Sequence, residues 1–464
     1  MEAPAHGDRI AGELMTMHIR PTHIRHLIAS RPGRVLIALA ATVAVLGTTM
    51  NPVNAGATAS SPGSQTPGCV TFPACIPKTV VLDGLRLAVT RELVRAGVPS
   101  LRQELSTLTA QADGYLTQGP WSVMDKPQLP PSGDKHDYLS QAPYWWPTQP
   151  KTASNPWGCP YIQKDGITNP DINLITDHAE RGAMFNAVYT LTLAWYYTGN
   201  SAYAERAALD LRTWFIDPAT RMNPSLNFTQ FVPCLVSGRG IGIIDFSQQF
   251  TDIIDATAIL DTGAPSWTAD DHAAMQSWYS QFLTWLQTSS NGASEAAQTN
   301  NHGSFFDMQE AALALATGQP DLARTIVTTA ETKRLDVQLA GDGTQPLEIT
   351  RTRSWHYSIF NLLALTRLAM IGQHVGVDLW HYTTPSGGSI LKSIDYLIPA
   401  ATGTAAWPYP ELNFQAFAAI DVLHTAADDG DQAARAAVPK TPQPPGGDLW
   451  LLIPAPEQLD PVVS

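Results

Sequence analysis

The chain has little charge, few cysteines and almost no strand-like alternation of polar and apolar residues. Only 15% of its residues are charged, against roughly 25% in ordinary soluble domains, so Ser, Thr, Asn and Gln must supply much of the polar surface. That balance suits a protein that works outside the cytoplasm. The formal net charge is -13 and no run of Lys and Arg is present, which argues against a nucleic-acid partner, since phosphates need a clustered basic face. A polyanion could still bind where a few cations converge, because local potential governs a site. No apolar run reaches the ~20 residues of a membrane helix, so no stable span is expected. The nearest, Val35 to Leu46, follows Arg25, Arg31 and Arg34 and precedes the small residues around Val53-Asn54-Ala55. Residues 1–55 therefore read as an export leader, removed in the mature protein.

The four cysteines, Cys69, Cys75, Cys159 and Cys234, do not form two close pairs, which disfavours zinc and favours disulfides. Three pairings are possible. In one, Cys69 and Cys75 close a small loop and Cys159 joins Cys234, a long staple contributing about 4 kcal/mol in the loop-entropy account.

With 464 residues the chain needs two domains or one large closed architecture. Residues 56–79 are rich in Ser, Pro, Gly and Thr and read as a flexible linker. The body spans 80–435, and a Pro-rich tail, 436–464, is expected on the surface. Two short helices are predicted between Leu85 and Ala112, broken near Gly97-Val98-Pro99. Residues 113–172 have no helical period and many Pro, Gly and aromatic residues, and so long an irregular stretch is usually functional. Beyond Pro170 helix follows helix, at 173–198, 201–216, 245–262, 268–290, 304–317, 320–339, 354–375, 387–402 and 411–427. Stops such as Thr198-Gly199-Asn200 separate them. A succession of similar hairpins predicts an all-α fold, an α/α toroid or an α-solenoid.

Three segments carry polar and aromatic groups that folding alone would not require. In the first, Lys135, His136 and Tyr138 precede Tyr144, Trp145 and Trp146. Exposed rings of this kind stack on sugars, although the last three could equally form a satellite core beneath the loop. The second is Asn300-Asn301-His302-Gly303, where two amides and an imidazole at a helix start can bind an anion, or one Asn can simply cap the helix. In the third, Arg351 and Arg353 lead into Tyr357, with Arg353 and Tyr357 on one helical face. Here the plainer alternative is an ion pair with Glu348 or Asp342. Arg239 is a weaker candidate.

Taken in order, Asp134-Lys135-His136-Asp137-Tyr138, Ala142-Pro143-Tyr144-Trp145-Trp146-Pro147, Pro160-Tyr161, Asp165-Gly166, Asn169-Pro170, Asn300-Asn301-His302-Gly303 and Arg351-Thr352-Arg353-Ser354 with Tyr357 resemble the alginate lyase domain family. The likeness covers roughly residues 85–400 and is nearer to polysaccharide lyase family 38 than to family 5. It implies an incomplete α/α toroid with a cleft at one end. It also implies a catalytic set of Asn301, His302, Arg351 and Tyr357, with Lys135, His136, Tyr138, Tyr144, Trp145, Trp146, Arg239, Asn300 and Arg353 lining the substrate path. The expected partner is an acidic polysaccharide, cut by β-elimination of a 1,4-linked polyuronate with no metal or cofactor. Such chemistry needs the sugar carboxylate neutralised and a base for the C5 proton. Tyr357 could be that base only if nearby arginines favour its phenolate. Two alternatives stand beside it. A glycoside hydrolase would use two of Asp137, Asp171, Asp245 and Glu348, and a non-catalytic carbohydrate-binding protein would keep only the aromatic cleft.

Overall fold

Two kinds of helix build the molecule, those apolar on nearly every face and those apolar on one. The computed structural model describes residues 76–454. The leader 1–55, the Cys69–Cys75 pair, most of the 56–79 linker and the end of the tail lie outside the described residues. The helices run α1 (Gly84–Arg95), α2 (Arg102–Tyr115), α3 (Asp177–Thr198), α4 (Ser201–Leu211), α5 (Ile244–Leu260), α6 (Ala269–Thr288), α7 (Ser290–Ala296) and α8 (Asn301–Ala316). They continue with α9 (Pro320–Ala330), α10 (Asp336–Gln338), α11 (Pro346–Ile349), α12 (Ser354–Val375), α13 (Ile390–Ala401), α14 (Ile420–Asp429) and α15 (Gln432–Ala437).

Helices α3, α5, α8 and α12 are buried over most of their length and pack in that order, each on the next. A helix apolar all round must sit inside. Helices α4, α6, α9 and α14 cover them from outside. Short turns return the chain between layers: Gly199 and Gly376 take left-handed backbone (φ 74° each) at the ends of α3 and α12, where a side chain would be strained. The result is an all-α, toroid-like stack in which successive inner helices run the same way.

Several element ends depart from the periodicity. Helix α8 starts at Asn301, earlier than expected, and α7 and α15 are additional short helices. The long irregular stretch holds three short strands, β1 (Leu139–Gln141), β2 (Trp145–Pro147) and β3 (Tyr161–Gln163), with β4 (Phe228–Phe231) further on. β1 pairs in parallel with β4, and β2 is antiparallel to β3. Cys159 is bonded to Cys234 across 75 residues, tying the β2–β3 hairpin to the segment after β4. Ala142, Tyr161 and Val232 form a small separate core there, against which Trp145 packs.

Both ends of the described chain are fastened to the core. Asp255 on α5, 1% exposed, accepts hydrogen bonds from the backbone N–H groups of Val80 (2.5 Å), Val81 (3.2 Å) and Leu82 (2.7 Å). At the other end the tail is not a surface strand, because Leu449, Trp450, Leu452 and Ile453 are buried. Burial of each stabilises by about 2 kcal/mol. The Tyr197 hydroxyl donates to Leu452 O (2.6 Å) and the Trp450 indole to Asp428 (2.7 Å), so the last turns complete the core instead of running over it.

Candidate active site

The inner helices bring their N-termini to one end, where orphan N–H groups and helix dipoles favour negative charge. At the starts of α3 and α5, Arg181 donates to Gln249 (3.1 Å) and His178 lies 3.6 Å from Asp245. At the starts of α8 and α12 a buried amide network joins the two: Ser304 and Asn361 both donate to Gln338 Oε1 (2.9 and 2.8 Å), and Asn361 also donates to Gln345 (2.8 Å). Phe305 and Phe360 pack beneath it with ring centroids 4.2 Å apart. This contact sets the Asn301 turn beside the Tyr357 turn.

Asn301 occupies the first turn of α8 and is 1% exposed. Its backbone N–H and its Nδ2 both donate to Glu348 (2.9 and 2.8 Å), while its Oδ1 accepts nothing among the described residues. Burial pushes the Glu348 carboxyl up, and the two Asn301 donors with the fields of Arg351 and His302 offset part of that. Glu348 thus lies among Asn301, His302 and Arg351. His302 keeps a partly exposed imidazole whose Nδ1 is 2.9 Å from Oε1 of the fully buried Glu295. Asn300 sits at the cap position, yet its side chain makes no capping hydrogen bond and its Oδ1 has no partner among the described residues. The simple capping explanation therefore fails. A Cβ on Gly303 would meet Arg334 Nη1 and Gln298 O at 2.2 Å each, so the helix start packs closely on that segment.

Arg351 donates from Nε and Nη2 to Asp165 (3.2 and 2.6 Å) and lies 3.8 Å over the Tyr357 ring. Its ion-pair partner is thus Asp165, not the Glu348 or Asp342 considered from sequence. Burial works against the Arg351 charge, but the Asp165 hydrogen bonds and Tyr357 outweigh it and raise its pKa. Tyr357 is 7% exposed and donates to the Tyr144 hydroxyl (2.8 Å). Burial and Tyr144 push its phenol well above the ordinary value, and Arg351 offsets only part. The condition set for a phenolate base, arginines that favour it, is therefore opposed by burial, since Arg351 faces the ring and shares its charge with Asp165. Arg353 bridges through its backbone to Glu411 and makes no side-chain hydrogen bond among the described residues. The Arg351 guanidinium, and not that of Arg353, is fixed against the tyrosine.

The aromatic loop divides. Tyr144, Trp145 and Trp146 stay half-buried; Trp145 lies under Arg239 (6.0 Å) and Trp146 under Lys164 (4.6 Å). Arg239 donates to the Gln230 carbonyl and side chain (3.0 and 2.7 Å), so it is bound into this wall. Tyr138 is fully buried, edge-on to Phe246, and offers no face to a sugar. Lys135 donates to Met124 O (2.9 Å) and the His136 ring bonds Arg221 O (2.6 Å), so both hold the loop together. Tyr138 is corrected from a substrate contact to a loop anchor, while Lys135 and His136 stay partly exposed. Conversely, Glu295, the pairing of Asp165 with Arg351 and the Asn301-binding role of Glu348 went unnoticed. Glu295 and Glu348 lie close in sequence to the polar segments they serve, whereas Asp165 is 186 positions from Arg351.

Such a fold, with such an end, defines a polysaccharide lyase. A family model described as alginate lyase matches residues 122–407. An alginate lyase from Bacteroides ovatus, known as a crystal structure, is 35% identical over 81% of this chain and 99% of that one, with a TM-score of 0.75. Alginate lyase A1-III from Sphingomonas species A1 shares the fold at 16% identity, covering 84% of this chain and 100% of that one, with a TM-score of 0.50. A histidine-to-alanine variant of A1-III in complex with a tetrasaccharide gives 0.52 at 16% identity over 82% of this chain and 97% of that one. No curated protein sequence matches the chain. The chain belongs to the alginate lyase family.

Proposed function

We propose that the protein cleaves a 1,4-linked polyuronate by β-elimination, with His302 taking the C5 proton and Tyr357 protonating the departing O4. The observation carrying this is the packing of α8 on α12, which gathers an amide, an imidazole, a guanidinium and a phenol at the positive ends of inner helices. Arg351 and Asn301 have more N–H donors than they give to Asp165 and Glu348, and the remainder can counter the substrate carboxylate, whose charge must be offset before C5 becomes acidic. The C5–H electrons form the C4=C5 bond as the C4–O bond breaks. A phenol held protonated by burial is suited to donate and not to abstract. Tyr144, hydrogen-bonded to it, can return the proton from solvent. Trp145 and Trp146 offer ring faces to neighbouring sugars.

The Bacteroides ovatus relative is described as an alginate lyase, so alginate heads the panel, followed by glucuronan. Residues 1–55 and the Cys159–Cys234 bond support export from the cytoplasm as part of the same proposal. The mature protein is incubated with each polymer and ultraviolet absorbance of the new double bond is followed. An increase on at least one polyuronate is expected; none on any would overturn the proposal.

A further inference from the structure

The imidazole proposed as base is held by a fully buried carboxylate. Glu295, on α7, is fully buried; Oε1 meets His302 Nδ1 at 2.9 Å and Oε2 accepts no hydrogen bond among the described residues. Leaving a buried carboxylate oxygen unpartnered costs about 1–3 kcal/mol or more, so the His302 contact is the one hydrogen bond that offsets the burial of Glu295 among the described residues. The spacing of Glu295 from His302 is also clamped. Arg334, 1% exposed, pairs with Asp307 of α8 (2.7 Å) and donates to Ala296 O (2.9 Å) and to Gln298 O, locking the end of α7 onto α8. A Cβ on Gly303 would meet Arg334 Nη1 at 2.2 Å, so the helix start is pressed against this clamp.

An ionised carboxylate can only accept, so pairing with one calls for the proton on His302 Nδ1 and leaves the Nε2 lone pair for a substrate. The other charged groups around the pair are Glu348 ahead of α12, whose carboxyl feels both His302 and Arg351, and Arg239 ahead of α5, which feels Glu295. Lys333 and Arg334 flank Asp307 one turn further along α8.

We infer that Glu295 is a positioning residue: it fixes His302 as the Nδ1–H tautomer and balances the positive charge that arises when Nε2 takes the C5 proton. Its catalytic part rests on the lyase reading above; its tautomeric part does not. The test is Glu295→Gln in the full mature chain. Nitrogen-15 spectra of labelled histidine, assigned with His302→Gln, should show the Nδ1–H tautomer in the wild type and a mixture in the variant. On a cleaved polyuronate, kcat should fall about 100-fold with KM nearly unchanged and melting preserved. The double variant Glu295→Gln/His302→Gln should be no slower than His302→Gln alone. An Nε2–H tautomer in the wild type, or an unchanged kcat in a folded variant, overturns the inference. If Glu295→Gln does not fold, the wild-type tautomer still decides. If no polyuronate is cleaved, the lyase reading fails while the spectra still judge Glu295.

Discussion

Two buried carboxylates, Asp255 on α5 and Glu295 on α7, show how differently this molecule treats similar groups. Asp255 is surrounded by three backbone donors and serves only to fasten residues 80–82. Even so, burial pushes its pKa up to about 7 against those hydrogen bonds. Glu295 has one partner, and that partner is the partly exposed His302. Asp255 gives its oxygens to the scaffold, whereas Glu295 is aimed at an accessible imidazole, the placement that chemistry requires.

The contrast is sharpest for substitutions that should move activity without stability, or the reverse. Tyr357→Phe should lower kcat about 1,000-fold, the upper part of what a proton donor contributes, with thermal unfolding little changed. A folded variant with near-normal turnover would remove Tyr357 from the reaction. Asp255→Ala should do the opposite. With three buried N–H groups orphaned, denaturant unfolding should report a loss of about 3 kcal/mol, while kcat at a temperature where the variant is folded stays within twofold. If kcat collapsed in the folded variant, the division between scaffold and site would be wrong.

His356, stacked on Phe360 beside Tyr357, tests the site end by pH. Burial, then Arg353 and Arg351, push its pKa down from 6.5 to about 3. The unfolded chain therefore binds a proton in that interval that the folded chain refuses. Stability is complete above about 6.5 and falls as pH drops toward 3, by a few kcal/mol for this group. Unfolding of the wild type and of His356→Gln, compared across that range, should differ in slope; parallel curves would refute the assignment. The smallest effect concerns the two arginines. Arg351→Ala should strongly reduce kcat/KM, whereas Arg353→Ala, lacking any fixed side-chain partner, should change it less than about threefold. Equal losses would mean that both guanidiniums act on the substrate.

Much of the scaffold was legible because inner helices leave a continuous apolar pattern. Helix α12 begins and ends where its period and Gly376 say it should. The period failed where contacts are remote or elements short. Nothing local announces that β1 pairs with β4, or that Trp450 and Leu452 return to the core near α3. Seven residues of α7 are too few to show a period, so Glu295 stayed hidden although only seven positions from His302. Tyr138 was misjudged because an aromatic-polar segment looks the same whether its groups face a sugar or each other.

By itself, then, the sequence determined the helical class, the apolar stripes that order the layers, and the residue types able to counter a carboxylate and move a proton. These follow from local propensity and side-chain chemistry, which travel with each residue. Tertiary structure alone decided which arginine lies over Tyr357, which oxygen holds His302, and which loop residues are anchors. Those outcomes depend on distances between segments far apart in the chain, set when α8 packs on α12 and Cys159 meets Cys234.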